Sequence, residues 1–258
     1  MKNTIFVKLG GSLITDKSKP YTVREDVVKR LAREIHEARV EGNIKLLVGH
    51  GGGSFPHVSA QKYETHRGAI NDKSWEGFAK VQNDAAKLNR IIVNSLIEAG
   101  ENAFSVQPSA SCIAKNDQIV DWYTRPIKAG LEQDLIPVPY GDVCIDMSKG
   151  CCIISTEEIL RFLSDEFKPS RIIMVGKTEG VFDSNGKLIK IITKSNFDEL
   201  EEAFKSSDGV ADVTGGMMVK VKKALDMGIE VEIINGLQGG LLKKVLMGEK
   251  GFGTIIRG

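Results

Sequence analysis

The order in which apolar runs and helical periodicity alternate constrains this chain more than any other feature. In the first fifty residues, TIFVKLG at 4–10 and IKLLVG at 44–49 read as buried strands, and REDVVKRLAREIHEARVEG at 24–42 reads as one helix between them. Val27, Val28, Leu31, Ile35 and Val40 supply the helix's apolar stripe near the 3.6-residue period. Strand, helix and strand in that order form a βαβ unit, whose two strands run parallel because the helix carries the chain back. The alternation continues with a helix over 75–99, on which Phe78, Val81, Ala85, Leu88, Ile92 and Leu96 recur. Strands are expected near 102–107, 135–138 and 151–155, with a helix at 124–133 between the first two. PSRIIMVG at 169–176 opens another strand and a loop follows it. Helices at 196–206 and 215–227, a strand at 230–234, a helix at 239–247 and the terminal GTIIR complete the pattern. The expectation is an α/β chain, a three-layer αβα sandwich around a mostly parallel sheet, with ligands outside the carboxyl ends of the strands. A soft division around SDEFKPS separates an amino-terminal lobe, 1–165, from a carboxy-terminal lobe, 166–258, on one continuous sheet.

Composition narrows the class. The 258 residues are 41% hydrophobic and 27% charged with a formal net charge of +1, which gives no reason to expect nucleic acid or an anionic membrane as the main partner. No apolar stretch reaches the roughly 18–20 residues of a membrane-spanning helix. The amino terminus lacks the pattern of a signal peptide, so the expected location is the cytoplasm. Cys112, Cys144, Cys151 and Cys152 form no CxxC pair, and Cys151-Cys152 within GCCIIS read as buried strand residues. The histidines show no paired zinc spacing, so no metal ligands are assigned and any metal is expected to arrive with a nucleotide.

Chemistry gathers at glycines. KLGGSLITDK at 8–17, GHGGGSFPH at 49–57 and DVTGGM at 212–217 read as glycine clusters following strands, where exposed amides and a helix amino terminus suit anions. Taken singly, each is as well explained by a tight turn. Lys8 stands inside an otherwise apolar strand, where its charge needs a partner. Lys17 follows in TDK, and Lys220 lies on the helix that TGGM is expected to open. Neither the GxxxxGK[ST] P-loop nor the GxGxxG dinucleotide fingerprint is present.

KLGGSLITDK, GHGGGSFPH, PVPYGDV, DVTGGMMVK and GTIIRG, in that order along essentially the whole chain, resemble the amino acid kinase superfamily. Within it, GGS-x-I-T-D-K combined with GGGSF-x-H looks like the isopentenyl phosphate kinases. The resemblance implies the amino acid kinase fold, ATP and Mg²⁺ as cofactors, a small-molecule phosphate as substrate and a homodimer. It implies that Lys8 contacts the transferred phosphoryl group while Gly10, Gly11 and Ser12 cradle the ATP phosphates. Lys17 would stabilise transition-state charge, Gly52 and His57 would hold the acceptor's phosphate, and Gly53 would face the nucleotide. Gly216, Lys220 and Lys177 would reach the ATP, and Thr156 would face the acceptor.

Three segments depart from the family pattern. Pro56 replaces a usual glycine, Thr156 and Glu157 in ISTEE replace Gly and Asp, and GKTEG replaces T-D-V-D-G. The leading expectation is in-line transfer from ATP to isopentenyl phosphate, with His57 meeting the acceptor phosphate and helix 75–99 (Phe78, Val81, Ala85) walling an apolar slot. Pro56, Thr156 and the polar pair Gln82-Asn83 motivate an alternative acceptor, another small phosphate or a phosphonate such as fosfomycin. A nucleotide-binding sensor without catalysis is the third reading, supported by STEE and GKTEG alone. His50 is read as structural.

Overall fold

Strand β1 (Thr4–Leu9) leads into the single turn α1 (Gly11–Ile14), and α2 (Glu25–Gly42) returns the chain to β2 (Lys45–His50). Helices α3 (Ser54–Lys62) and α4 (Ser74–Glu98) follow, then β3 (Ala103–Val106), β4 (Cys112–Lys115), β5 (Gln118–Trp122), α5 (Arg125–Glu132), β6 (Ile136–Pro139), β7 (Asp142–Asp146) and β8 (Gly150–Ile154). Next come α6 (Thr156–Phe167), β9 (Arg171–Gly176), β10 (Val181–Phe182), β11 (Leu188–Ile189), β12 (Ile191–Thr193) and α7 (Lys194–Lys205). The chain ends with α8 (Ala211–Asp226), β13 (Val231–Asn235), α9 (Leu241–Leu246) and β14 (Thr254–Arg257). This computed structural model describes residues 4–205 and 211–258, the side chains of 203–205 and 211–216 excepted.

The central sheet has the order β12-β14-β13-β9-β1-β2. Every neighbouring pair is parallel except β13 with β14. Beyond β2, the bridge between His50 and Tyr140 extends the layer towards β6, which pairs with β3. Side chains alternate across the sheet. Ile5, Val7 and Leu9 of β1 enter a core with Leu31 and Ile35 of α2, Leu88 and Ile92 of α4 and Leu241 of α9. Phe6 enters the opposite core, with Ile159 and Leu160 of α6 and Val221 of α8. The same alternation sends Lys8 out on the α6–α8 face. β1 pairs with β9, so the amino- and carboxy-terminal parts of the chain share one sheet.

Local chemistry fixes the helix ends. Ser155 caps α6 by accepting the Glu158 N–H at 3.2 Å, and Glu157 and Glu158 sit in that helix's positive first turn. Glu34 of α2 accepts the N–H groups of Gly240, Leu242 and Lys243 at the start of α9. Arg30 holds Glu34 at 2.6 Å, so a carboxylate from one helix serves as the cap of another.

Three expectations need correction. Val40 is 70% exposed, because five residues past Ile35 it has rotated off the buried stripe, and Ala38 takes the core position. A second sheet, β5-β4-β7-β8, covers the α6 side; of its strands only β8, at the expected 151–155, was foreseen. Its strands are short, and the turn from β4 to β5 is Asn116-Asp117, both in the left-handed region at φ 52° and 64°. That dipeptide between paired strands is a type I′ hairpin signal in the sequence. Third, TGGM does not open its helix: α8 begins at Ala211 and already contains it.

Candidate active site

The carboxyl ends of β1, β2, β9 and β13 all open on one side of the sheet, and a cleft of about 490 Å³ lies there. It is lined by Lys8, Gly10, Gly11, Ser12, Lys17, Gly51, Gly52, Gly53 and His57 from the first lobe, with Glu157 from α6. The second lobe contributes Met174 to Thr178, Met217, Lys220 and Ile233. Lys8, Lys17, Lys177 and Lys220 therefore converge on one space although 212 positions separate the outermost pair. Gly216 lies outside the residues whose side chains are described.

The two glycine loops are packed back to back. A Cβ on Gly11 would stand 2.4 Å from the Gly53 nitrogen, and one on Gly53 would stand 2.1 Å from the Thr15 Oγ1 and 2.7 Å from the Gly11 oxygen. Gly53 also has φ +56°, a conformation natural to glycine. Thr15 stitches the loops together: its hydroxyl donates to the Gly11 carbonyl at 2.7 Å and accepts the Ser54 N–H at 2.9 Å. Among the described residues, the N–H groups of Gly11, Ser12, Gly52 and Gly53 meet no protein acceptor. Gly10 differs, because its N–H donates to the Val175 carbonyl at 2.9 Å. Its amide is therefore already used, so Gly10 lines the cleft as a close-packing residue beside the free amides of Gly11 and Ser12.

Lys8 is 8% exposed and its ammonium donates to Glu157 Oε1. The buried charge foreseen from the sequence has a carboxylate partner. Burial alone would raise the Glu157 pKa, but the charge and hydrogen bond of Lys8 outweigh it and hold the carboxyl below its ordinary value. The cleft desolvates the Lys220 ammonium and lowers its pKa, and repulsion from Lys8 and Lys17 adds to the shift against the pull of Glu157. His57 is lowered first by partial burial and then by the Lys17 charge, so its ring is neutral near pH 7 in the open cleft.

A second cavity, about 220 Å³, opens beside the first and shares Gly51, Gly52, Gly53, His57 and Glu157 with it. Its other walls are Pro56, Ala60, Val81, Ile153, Ile154 and Thr156, with Gly141, Asp142 and Ser155. Of the helix residues proposed as its wall, only Val81 lines it; Ala85 is buried in the helix packing and Phe78 packs behind Ala60 and Val81. Thr156 lines the cavity, but its hydroxyl donates to the His50 carbonyl at 2.7 Å. Ala60, Ile153 and Asp142 were missed; the alternation through β8 and the carboxylate in PYGDV were the available signals. Burial raises the Asp142 pKa to about 6 against the N–H groups of Ser109 and Val143.

His50 is fully buried and lies outside both cavities. Desolvation lowers its pKa to about 4, so the ring is neutral, stacked on Tyr140, with Asn89 Nδ2 3.1 Å from Nε2. Its role is to join β2 to the strand beside it. Pro56 fits in the first turn of α3, where a missing N–H costs little, and its Cγ would lie 2.3 Å from a Cβ on Gly52.

Comparison with known proteins agrees with this geometry. Residues 3–235 match the amino acid kinase family. The chain is 34% identical over 252 residues to the isopentenyl phosphate kinase of Methanocaldococcus jannaschii, covering 94% of this chain and 95% of that one. It is 35% identical over 272 residues to the isopentenyl phosphate kinase of Methanothermobacter thermautotrophicus, covering 98% and 99%. An X-ray structure of isopentenyl phosphate kinase superposes with a TM-score of 0.82 at 30% identity, covering 98% of this chain and all of the other. The similarity runs along nearly the whole chain, and the chain belongs to the amino acid kinase family, among its isopentenyl phosphate kinases.

Proposed function

We propose that this enzyme transfers the γ-phosphoryl group of ATP to isopentenyl phosphate, giving isopentenyl diphosphate and ADP. The observation that carries the reading is the junction of the two cavities. A cationic, amide-lined cleft meets an apolar pocket at Gly52 and His57, which matches an acceptor with a phosphate head and a hydrocarbon tail. The names of the similar proteins give the same chemistry.

In this reading the free amides of Gly11, Ser12 and Gly53 receive ATP phosphate oxygens, and Lys8, Lys17, Lys177 and Lys220 offset their charge. Gly52 and His57 hold the acceptor phosphate. No general base is needed, because a phosphate monoester oxygen is already a nucleophile near neutral pH. Lys17 and Lys8 gain most as negative charge spreads over the transferred group. Glu157 pairs with Lys8 and fixes its ammonium at the cleft. Among the described lining residues Glu157 is the sole carboxylate in the cationic cleft, and Lys8 occupies it. Mg²⁺ is accordingly read as travelling on the nucleotide, where it neutralises phosphate charge, without ligands from this chain. The lobe 1–165 would take the acceptor, since every residue of the apolar pocket belongs to it, and 166–258 would complete the nucleotide site. The family resemblance further supports a homodimer. Among the described residues, no helix is long and apolar enough to cross a membrane.

Steady-state kinetics with isopentenyl phosphate, dimethylallyl phosphate and fosfomycin test the acceptor. The account expects the highest kcat/KM with isopentenyl phosphate. A preference for fosfomycin would replace the acceptor, and no ADP release with any of them would remove the activity.

A further inference from the structure

Lys17 is exposed at the tip of a loop that leaves the sheet after α1 and returns at Val23, closed at its base by the Thr15–Val23 bridge and the Asp16 N–H to the Thr22 carbonyl at 2.9 Å. Asp16 organises the tip by accepting the N–H of Ser18 at 3.0 Å and its hydroxyl at 2.8 Å. These contacts shape the loop but leave its position over the cleft unfixed. The base of the loop is also tied down by Arg24, 3.8 Å from Asp16, and by the contacts of Thr15 and Thr22 with Ser54, but a tip of exposed residues with no side-chain tether to the helix layer samples many positions.

Tyr21 supplies the missing tether. Its phenol donates to Asp84 Oδ2 at 3.0 Å, and Asp84 is a buried residue of α4, 5% exposed. Its ring meets Phe55 edge to face, with centroids 5.7 Å apart and planes at 87°. Phe55 is itself buried and lies two residues before His57 in α3. The Tyr21 N–H reaches the Ser54 carbonyl at 3.4 Å and the Thr22 N–H reaches Ser54 Oγ at 3.3 Å. All this is achieved with Tyr21 at φ +52°, and among the described residues the other non-glycine residues in that region are Asn, Asp, Glu or Lys. An aromatic residue holds such a backbone only where its surroundings determine it.

We infer that Tyr21 is a positioning residue: by latching the Lys17 loop to Asp84 of α4 and Phe55 of α3, it holds Lys17 in the cationic cleft that His57 also lines. Tyr21 touches neither cavity, so it acts through Lys17. The inference rests on the phosphoryl-transfer reading for its kinetic consequence. Its structural part, the tethered loop, stands apart from that reading and has its own readout.

The test uses the full chain with Tyr21→Phe, which removes only the hydroxyl, Tyr21→Ala, which removes both side-chain tethers and keeps the backbone contacts to Ser54, Lys17→Ala, and Lys17→Ala combined with Tyr21→Ala. With isopentenyl phosphate and ATP, kcat should fall about threefold in Tyr21→Phe and at least about tenfold in Tyr21→Ala, while the ATP KM stays within about twofold. In the Lys17→Ala background the second substitution should add less than about twofold, because its target is gone. A side chain that merely stabilised the fold would lower activity in both backgrounds. Independently of activity, trypsin should cut after Lys17 about fivefold faster in Tyr21→Phe than in the parent. Unchanged cleavage after Lys17, or losses that multiply in the double variant, would overturn the latch. A parent enzyme that transfers no phosphoryl group but shows the faster cleavage would overturn the activity and leave the latch standing.

Discussion

Lys8 and Glu157, 149 positions apart, form an ion pair at the floor of the cleft with side chains 10% and 11% exposed. β1 brings the lysine and the first turn of α6 brings the carboxylate, so the pair closes only when sheet and helix layer are assembled. Glu157→Gln should lower kcat about 10- to 100-fold with a smaller effect on the ATP KM, because Lys8 loses the charge that fixes it. Lys8→Ala should abolish transfer and cost about 3 kcal/mol by leaving the carboxylate buried and unpaired. Since the folded pKa of Glu157 lies below 4.5, the pair's contribution is complete above pH 4.5 and is lost as pH falls from there through the folded value. Urea denaturation at stepped acidic pH measures that loss, which Glu157→Gln should remove.

Pro56 and Gly52 depend on each other. A methyl group on Gly52 would fall 2.3 Å from Pro56 Cγ and 3.7 Å from Pro56 Cβ. Gly52→Ala should therefore destabilise the fold by about 1–3 kcal/mol. Removing the ring with Pro56→Ala should restore most of that loss in the double variant, a non-additivity that a thermal-melt cycle reads directly.

His57 lies below 6.5 in the open cleft, and a bound phosphate dianion would raise it. Acceptor binding should then take up a proton between those two values, and affinity should fall by up to about tenfold per pH unit as pH rises through that interval. Isothermal titration calorimetry in buffers of different ionisation enthalpy measures the uptake. His57→Gln should abolish it and raise the acceptor KM about 10- to 100-fold, with the ATP KM unchanged within about twofold.

Glu232 is 1% exposed on β13, and neither of its carboxylate oxygens has a hydrogen-bond partner among the described residues. Burial raises its pKa, against the nearby Arg171 guanidinium at 4.0 Å. The penalty is absent below pH 4.5 and complete above the raised folded value, so stability falls as pH climbs between them. Glu232→Gln should flatten this limb and stabilise the protein at pH 7 by about 0.5–2 kcal/mol, as chemical denaturation at pH 5 and pH 8 would show.

The strands and helices of the central layers were legible because long periodic segments carry their own signal. The lysine in an apolar strand announced a partnered charge. Of the β5-β4-β7-β8 sheet only β8 was legible, since four- and five-residue strands with polar faces show little periodicity, and its Asn116-Asp117 turn went unread. Glu157 was visible as a departure from a family pattern whose carboxylate could still orient a lysine; that the lysine is Lys8 depends on a helix layer brought to the sheet from far along the chain. Gly10 stands in the cleft lining as the resemblance implies, but the use of its amide on Val175 could be read only from the fold. Tyr21 left no signal, because a left-handed tyrosine is recognisable only through the neighbours that hold it.

The most direct measurement follows the ³¹P NMR spectrum of the enzyme with ATP, Mg²⁺ and isopentenyl phosphate. The account predicts that the acceptor's single phosphate resonance is replaced by the two coupled resonances of a diphosphate, in step with ADP. ADP accumulating beside inorganic phosphate, with the acceptor resonance unchanged, would contradict it.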